Sequence, residues 1–131
     1  MSLTRPPQLG NVVWVEVADA NGFRKRRPAV VVSATATIAA GHPIRVVAIT
    51  TRLPTPLPDD HVLLPWEPQG EARSGLRRPC AAVTSSLVEV LLADVEECIG
   101  LLPAVVVAEI VAKLQAAAPS GRPPGEVGGT S

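Results

Sequence analysis

Two short stretches of this chain carry residue types able to act on a phosphodiester, and each lies where an apolar run starts or stops. In RKRRPAVVVS, residues 24–33, four consecutive cations lead through an X-Pro step into a β-type run. The residue before a proline is pushed toward extended backbone, so Arg27 is held at a loop-to-strand junction and its planar guanidinium has a fixed base. In IRVVAITT, residues 44–51, a second apolar run closes on the paired hydroxyls of Thr50 and Thr51. If the two runs pair as strands, neutral hydrogen-bond donors stand beside a fixed positive charge. That combination suits a phosphate diester whose oxygens gain charge during reaction.

The elements that must position these groups can be read outward from them. NVVWVEV, 11–17, is a first strand, and DANGFRKRR is a loop in which Asn21 and Gly22 permit a tight reversal. Residues 28–33 and 44–51 are the second and third strands, joined by ATATIAAGHP. RLPTPLPDD has three prolines in nine residues, which favours an irregular extended loop beside a groove. HVLLP is a short strand, WEPQGEARSG a loop, and CAAVTSS continues into LVEVL as a strand with a bend, followed by a short strand around 97–100. Over 102–118 the period changes: Val107, Ile110, Val111 and Leu114 recur at helical spacing, and Pro103 suits a first turn. Several short strands and one terminal helix make a small, strongly bent antiparallel sheet or open barrel, mainly β in class. No glycine-rich phosphate loop or βαβ alternation supports a nucleotide-binding fold.

Composition sets the frame. A chain of 131 residues, 47% hydrophobic and poor in aromatics, fits one domain with an aliphatic core over 1–118, and the Pro/Gly-rich 119–131 reads as a disordered tail. No apolar run is long enough for a bilayer span and the first residues have no apolar leader, so no membrane association and a cytoplasmic location are expected. Cys80 and Cys98 lack metal-site spacing and are expected as buried thiols; no metal or cofactor is expected. His42 and His61 read as loop histidines, His61 being a weak acid–base candidate. Net charge is zero, yet residues 1–52 carry seven Arg/Lys against two Asp/Glu and the remainder five against ten, which allows one basic face. Phe23 and Trp66 are the candidates for base stacking, Trp14 being placed in the core, and Arg73, Arg77 and Arg78 form a second cationic patch.

The glycine-led first strand GNVVWVEV, RRPAVVVS, the strand ending VAITT, the segment GLRRPCAAV and the step CIGLLP before the last helix together resemble the MazF/PemK family of toxin endoribonucleases, over about residues 9–116. The resemblance implies an SH3-like small barrel of short antiparallel strands with a C-terminal α-helix. It also implies a homodimer that cuts single-stranded RNA at short sequences without metal and is neutralised by a cognate antitoxin. The family's catalytic arginine falls on Arg27 and its catalytic threonine on Thr50; RNA binding is then expected of Phe23, Arg24, Lys25, Arg26, Arg77 and Arg78. The sequence departs from the family in Asn11, which replaces an aspartate, in Cys80, which replaces a common serine, in lacking a Glu-Gln pair in the first loop, and in SSLVEV, which replaces a polar, often basic stretch. These departures leave open a second reading, a non-cleaving module that binds a protein partner or RNA. For Arg27 the bland alternative is an ion pair with Glu16 or Asp19, and for Thr50 a turn bond. No motif supports a third reading, the poisoning of DNA gyrase.

Overall fold

β-branched, aliphatic runs form the strands, and the computed structural model, which describes residues 6–18 and 21–117, joins them in one sheet. Strands β1 (Asn11–Ala18), β2 (Arg24–Val31), β3 (Ile44–Thr50), β4 (His61–Leu63), β5 (Ala81–Val90) and β6 (Val95–Leu101) lie in the order β4-β5-β3-β2-β1-β6, and every neighbouring pair is antiparallel. The sheet is open, with β4 and β6 at its edges. Helix α1 (Thr35–Ala39) interrupts the β2–β3 connection, and helix α2 (Ala104–Ala117) ends the fold. This mainly β architecture with a C-terminal helix is the small-barrel type expected from the sequence.

Successive strand residues point to opposite faces, and both faces here are buried, which is why the strands read as unbroken valine runs. On one face Val12, Val30, Val47, Ala82 and Val62 pack with Leu64, Leu76 and Cys80 beneath Ile110 of α2. On the other, Val13, Val15, Ala29, Val31, Val46 and Ile44 pack with Val90, Val95 and Ile38 of α1. The expected bend in the fifth strand coincides with a register shift: Val47 faces Leu87 while Ala48 faces Val83.

Three boundaries differ from the sequence reading. The cationic run is strand rather than loop, because β1 pairs all the way to Ala18 opposite Arg24 and Gly22, at φ +84°, closes the hairpin within a shorter turn. The 34–43 connection contains α1, too short for a periodic signal. Helix α2 begins after Pro103, whose carbonyl accepts the Val106 and Val107 N–H groups. Asn11, the departure from aspartate, has a structural use: its Oδ1 accepts the Gln8 N–H (2.6 Å) and its Nδ2 donates to the Gly100 carbonyl (3.1 Å), a bond no carboxylate could donate. Cys80 is buried as expected, but Cys98 is exposed, since edge strand β6 has no neighbour beyond it. Asp19 and the 119–131 tail lie outside the described residues.

Candidate active site

Strand pairing brings the two chemical stretches together. β2 and β3 are adjacent, with Ala29 opposite Ala48, so the start of one apolar run and the end of the other meet at the same end of the sheet. There a cavity of about 720 Å³ opens, lined by Trp14, Arg27, Pro28, Ile49, Thr50, Thr51, Arg52, Gly75, Leu76, Arg77, Arg78, Cys80 and Ile99. Four arginines border it and no carboxylate does.

Arg27 is exposed and, among the described residues, takes part in no ion pair. Glu16, its suspected partner, is occupied by Arg24, whose Nε donates to Glu16 Oε1 at 3.0 Å while its Nη2 donates to Asp94 Oδ1 at 2.9 Å. The Glu16 hydrogen bond first, and then the field of both carboxylates, holds the Arg24 guanidinium above its already high range. Arg26 is engaged in the same way: Nε donates to Glu96 Oε1 (2.6 Å) and Nη2 to Glu97 Oε1 (3.0 Å). Of the cationic run, then, Arg27 is the member that lines the cavity; Phe23, Arg24, Lys25 and Arg26 lie outside its lining. Arg77 and Arg78 do line it, whereas Arg73 borders a separate apolar groove along α2.

Thr50 Oγ1 accepts the Arg52 N–H at 3.0 Å. This turn bond uses an oxygen lone pair and leaves the hydroxyl proton available to donate into the cavity. The wall opposite is set by two glycines. A Cβ on Gly75, whose φ is +74°, would collide with the Ile99 carbonyl oxygen, and one on Gly100 with the Arg73 and Ser74 carbonyls. The GL and IG steps noted in the sequence are therefore two backbones pressed together. Fully buried Ser74 locks the segment by donating to the Pro65 carbonyl (2.7 Å) and accepting the Leu76 N–H (3.2 Å). Arg77 Nε is held by the Pro68 carbonyl at 3.3 Å.

Two lining residues able to touch a nucleotide, Arg52 and Trp14, were not among the site residues named from the sequence. Arg52 was legible in principle, two places after Thr50 at a strand end. Trp14, assigned to the core, is half-buried at the cavity edge with the Arg26 guanidinium 4.4 Å from its ring centroid. Other candidates fall elsewhere. His61 is outside the lining, its Nδ1 paired with Asp60 Oδ1 at 2.7 Å, and Phe23 and Trp66 are exposed. Burial pushes the Cys80 thiol up, which disfavours the thiolate form. Among the described residues, no group of three or more His, Cys, Asp or Glu is placed to hold a metal ion, and no helix is long and apolar enough to cross a membrane.

Solved structures share this fold. MazF (Form-I) from Deinococcus radiodurans superimposes with a TM-score of 0.67 at 23% identity, over 86% of this chain and 96% of that one. A MazE-MazF complex (Form-II) from the same organism gives 0.66 at 22%, over 86% and 95%. An endoribonuclease in complex with its cognate antitoxin from Mycobacterial species gives 0.65 at 18%, over 90% and 98%. No curated protein gives a significant match by sequence. The family model for PemK-like, MazF-like toxins of type II toxin-antitoxin systems matches residues 8–118. Since that match runs from before β1 to the end of α2, the chain belongs to the PemK-like, MazF-like toxin family of type II toxin-antitoxin systems.

Proposed function

We propose that this chain is a metal-independent endoribonuclease that cuts single-stranded RNA at short sequences, acts in the cytoplasm as a homodimer, and is silenced by a cognate antitoxin. The observation that carries the reading is that Arg27 and Thr50 line one cavity whose other charged groups are Arg52, Arg77 and Arg78. The family match and the antitoxin-bound relatives support the partner. An acidic segment of that partner would find the same four cations that RNA finds.

In such a reaction the ribose 2′-oxygen bonds to the adjacent phosphorus as the bond to the 5′-oxygen breaks. The 2′ proton passes to solvent and the leaving oxygen gains one, so a cyclic 2′,3′-phosphate and a 5′-hydroxyl result. Negative charge builds on the phosphorane oxygens in between. Arg27 neutralises it through a preorganised fork and orients the leaving oxygen; its high pKa makes it a poor base. Thr50 donates its hydroxyl proton to a non-bridging oxygen, while Arg52, Arg77 and Arg78 hold the flanking phosphates.

The test is incubation of a long, unstructured RNA with the full chain in EDTA, alongside Arg27→Ala and Thr50→Ala. Cleavage by the wild type that either substitution slows about 100-fold or more supports the reading. Intact RNA across diverse sequences, or undiminished cutting by both variants, overturns it. A second reading, a non-cleaving module, is favoured by one observation: Arg24 and Arg26 are committed to the chain's own carboxylates. A stably co-purifying partner, together with a protein that neither cuts RNA nor slows growth on induction, would select it.

A further inference from the structure

Trp14 is the aromatic residue among those that line the cavity. It is the β1 residue opposite Pro28, adjacent to Arg27, and it lines the same cavity as Arg27 and Thr50. Its ring is already clamped on one side. The Arg26 guanidinium lies 4.4 Å from the ring centroid, and two carboxylates of the neighbouring edge strand, Glu96 and Glu97, fix that guanidinium through Nε and Nη2. Arg26 itself is not part of the cavity lining, whereas Trp14 is. An aromatic ring ordered before the ligand arrives avoids the cost of ordering it on binding.

Charge decides what reaches that ring. The cavity itself is lined by four arginines, but on the strip beyond Trp14 Arg24 and Arg26 are each already held by two carboxylates, Glu16 and Asp94 for the first and Glu96 and Glu97 for the second. A phosphate chain is drawn to the first region more than to the second. With a phosphate at Arg27 and Thr50, the part of the nucleotide able to turn toward Trp14 is its uncharged base. We propose that Trp14 is a stacking platform for a nucleobase flanking the scissile phosphate, aligned by Arg26 and, through Arg26, by Glu96 and Glu97. This assignment rests on the endoribonuclease reading and adds to it the group that grips the base.

The experiment starts from a short RNA that the wild-type chain cuts and replaces each base in turn by an abasic unit. Loss of kcat/KM of roughly ten- to a hundredfold is expected at one position flanking the cut. Trp14→Leu, similar in apolar character but without a π face, is expected to show that loss on the intact RNA and to feel the abasic unit there by less than about threefold. Trp14→Phe should recover most of the difference. Arg26→Lys, which keeps the charge and loses the planar stack, should raise KM severalfold and leave kcat nearly unchanged, a split that general unfolding would not produce. A flat abasic profile in the wild type, which needs no altered protein, overturns the platform. So does Trp14→Leu with unimpaired cleavage and the wild-type profile. Failure of the wild type to cut any RNA defeats the endoribonuclease reading itself, and this assignment with it.

Discussion

A guanidinium with no carboxylate beside it keeps its whole charge for a ligand, and β2 divides its arginines on that basis. Arg24 and Arg26 are spent on Glu16, Asp94, Glu96 and Glu97, while Arg27 lines the cavity with Thr50. Arg27→Lys is therefore expected to recover little of the activity lost in Arg27→Ala, because a point charge cannot reproduce the two-pronged donor; single-turnover rates on one RNA would show it. Thr50→Ser, which keeps the hydroxyl, should cut far faster than Thr50→Ala. Arg27 and Thr50 were legible in the sequence because a proline step and a strand end are local signals. The pairing of Arg24 with Asp94 and of Arg26 with Glu96 and Glu97, and with it the guanidinium fixed over Trp14, was not, because those carboxylates lie some 70 residues further along the chain. A separate residue-scale prediction concerns acid stability. The Asp60 carboxylate accepts the Ser85 hydroxyl at 2.6 Å and pairs with His61, and the Ser85 bond is the main reason its pKa is lowered. A lowered carboxylate pKa gives stability that is complete above the unfolded value of about 3.9 and is lost as pH falls through the folded value. Ser85→Ala should thus be less stable than the wild type in urea at neutral pH, with the difference closing as pH falls through the lowered Asp60 pKa and the carboxyl protonates in both proteins.

At the scale of elements, the site depends on one close approach between backbones. Gly75 and Gly100 let the segment carrying Leu76, Arg77 and Arg78 press on β6, and a Cβ at either place meets carbonyl groups rather than a movable side chain. Gly75→Ala is expected to cost both the strain of its positive φ and the overpacking, about 2–4 kcal/mol together, and to reduce cleavage as the arginines shift. Gly41→Ala, also at positive φ (+90°) but in open space, should cost only about 1 kcal/mol, and paired thermal melts separate the two terms. The strands themselves were readable as β-branched runs, and α2 as an apolar stripe that includes the fully buried Ile110, whose truncation to Ala should cost about 2–5 kcal/mol. What the sequence concealed was strand length. Charged residues read as loop, yet ladder pairing with β1 and the carboxylates of Asp94, Glu96 and Glu97 made Arg24–Arg27 the first half of a strand. Tertiary partners overrode the local pattern there, as they did for the five residues of α1.

Over the whole molecule, zero net charge hides an internal sorting. The sequence placed its cations in the first half and its anions in the second, and folding brings part of each half together. Asp94 and, on β6, Glu96 and Glu97 pair with cations of β2, while Arg77 and Arg78 from the acidic half join Arg27 and Arg52 in the cavity. The basic face foreseen from the charge asymmetry is thus built from both halves and is smaller than a count of the first half would give. Four cavity arginines bound the electrostatic footprint of the proposed RNA site. The logarithm of RNA affinity should fall with the logarithm of salt concentration at a slope no steeper than about −3 per site, and Arg78→Ala should make it shallower by about 0.7.

All of this turns on Arg27 and Thr50 acting on the same phosphodiester, and a double-mutant cycle measures that directly. Single-turnover cleavage of one RNA in EDTA is compared for the wild type, Arg27→Ala, Thr50→Ala and the double variant. Two groups that stabilise one phosphorane act as a unit, so the double variant is predicted to be little slower than the worse of the two single variants. Losses that multiply in full, or no loss in either single variant, would contradict a shared site.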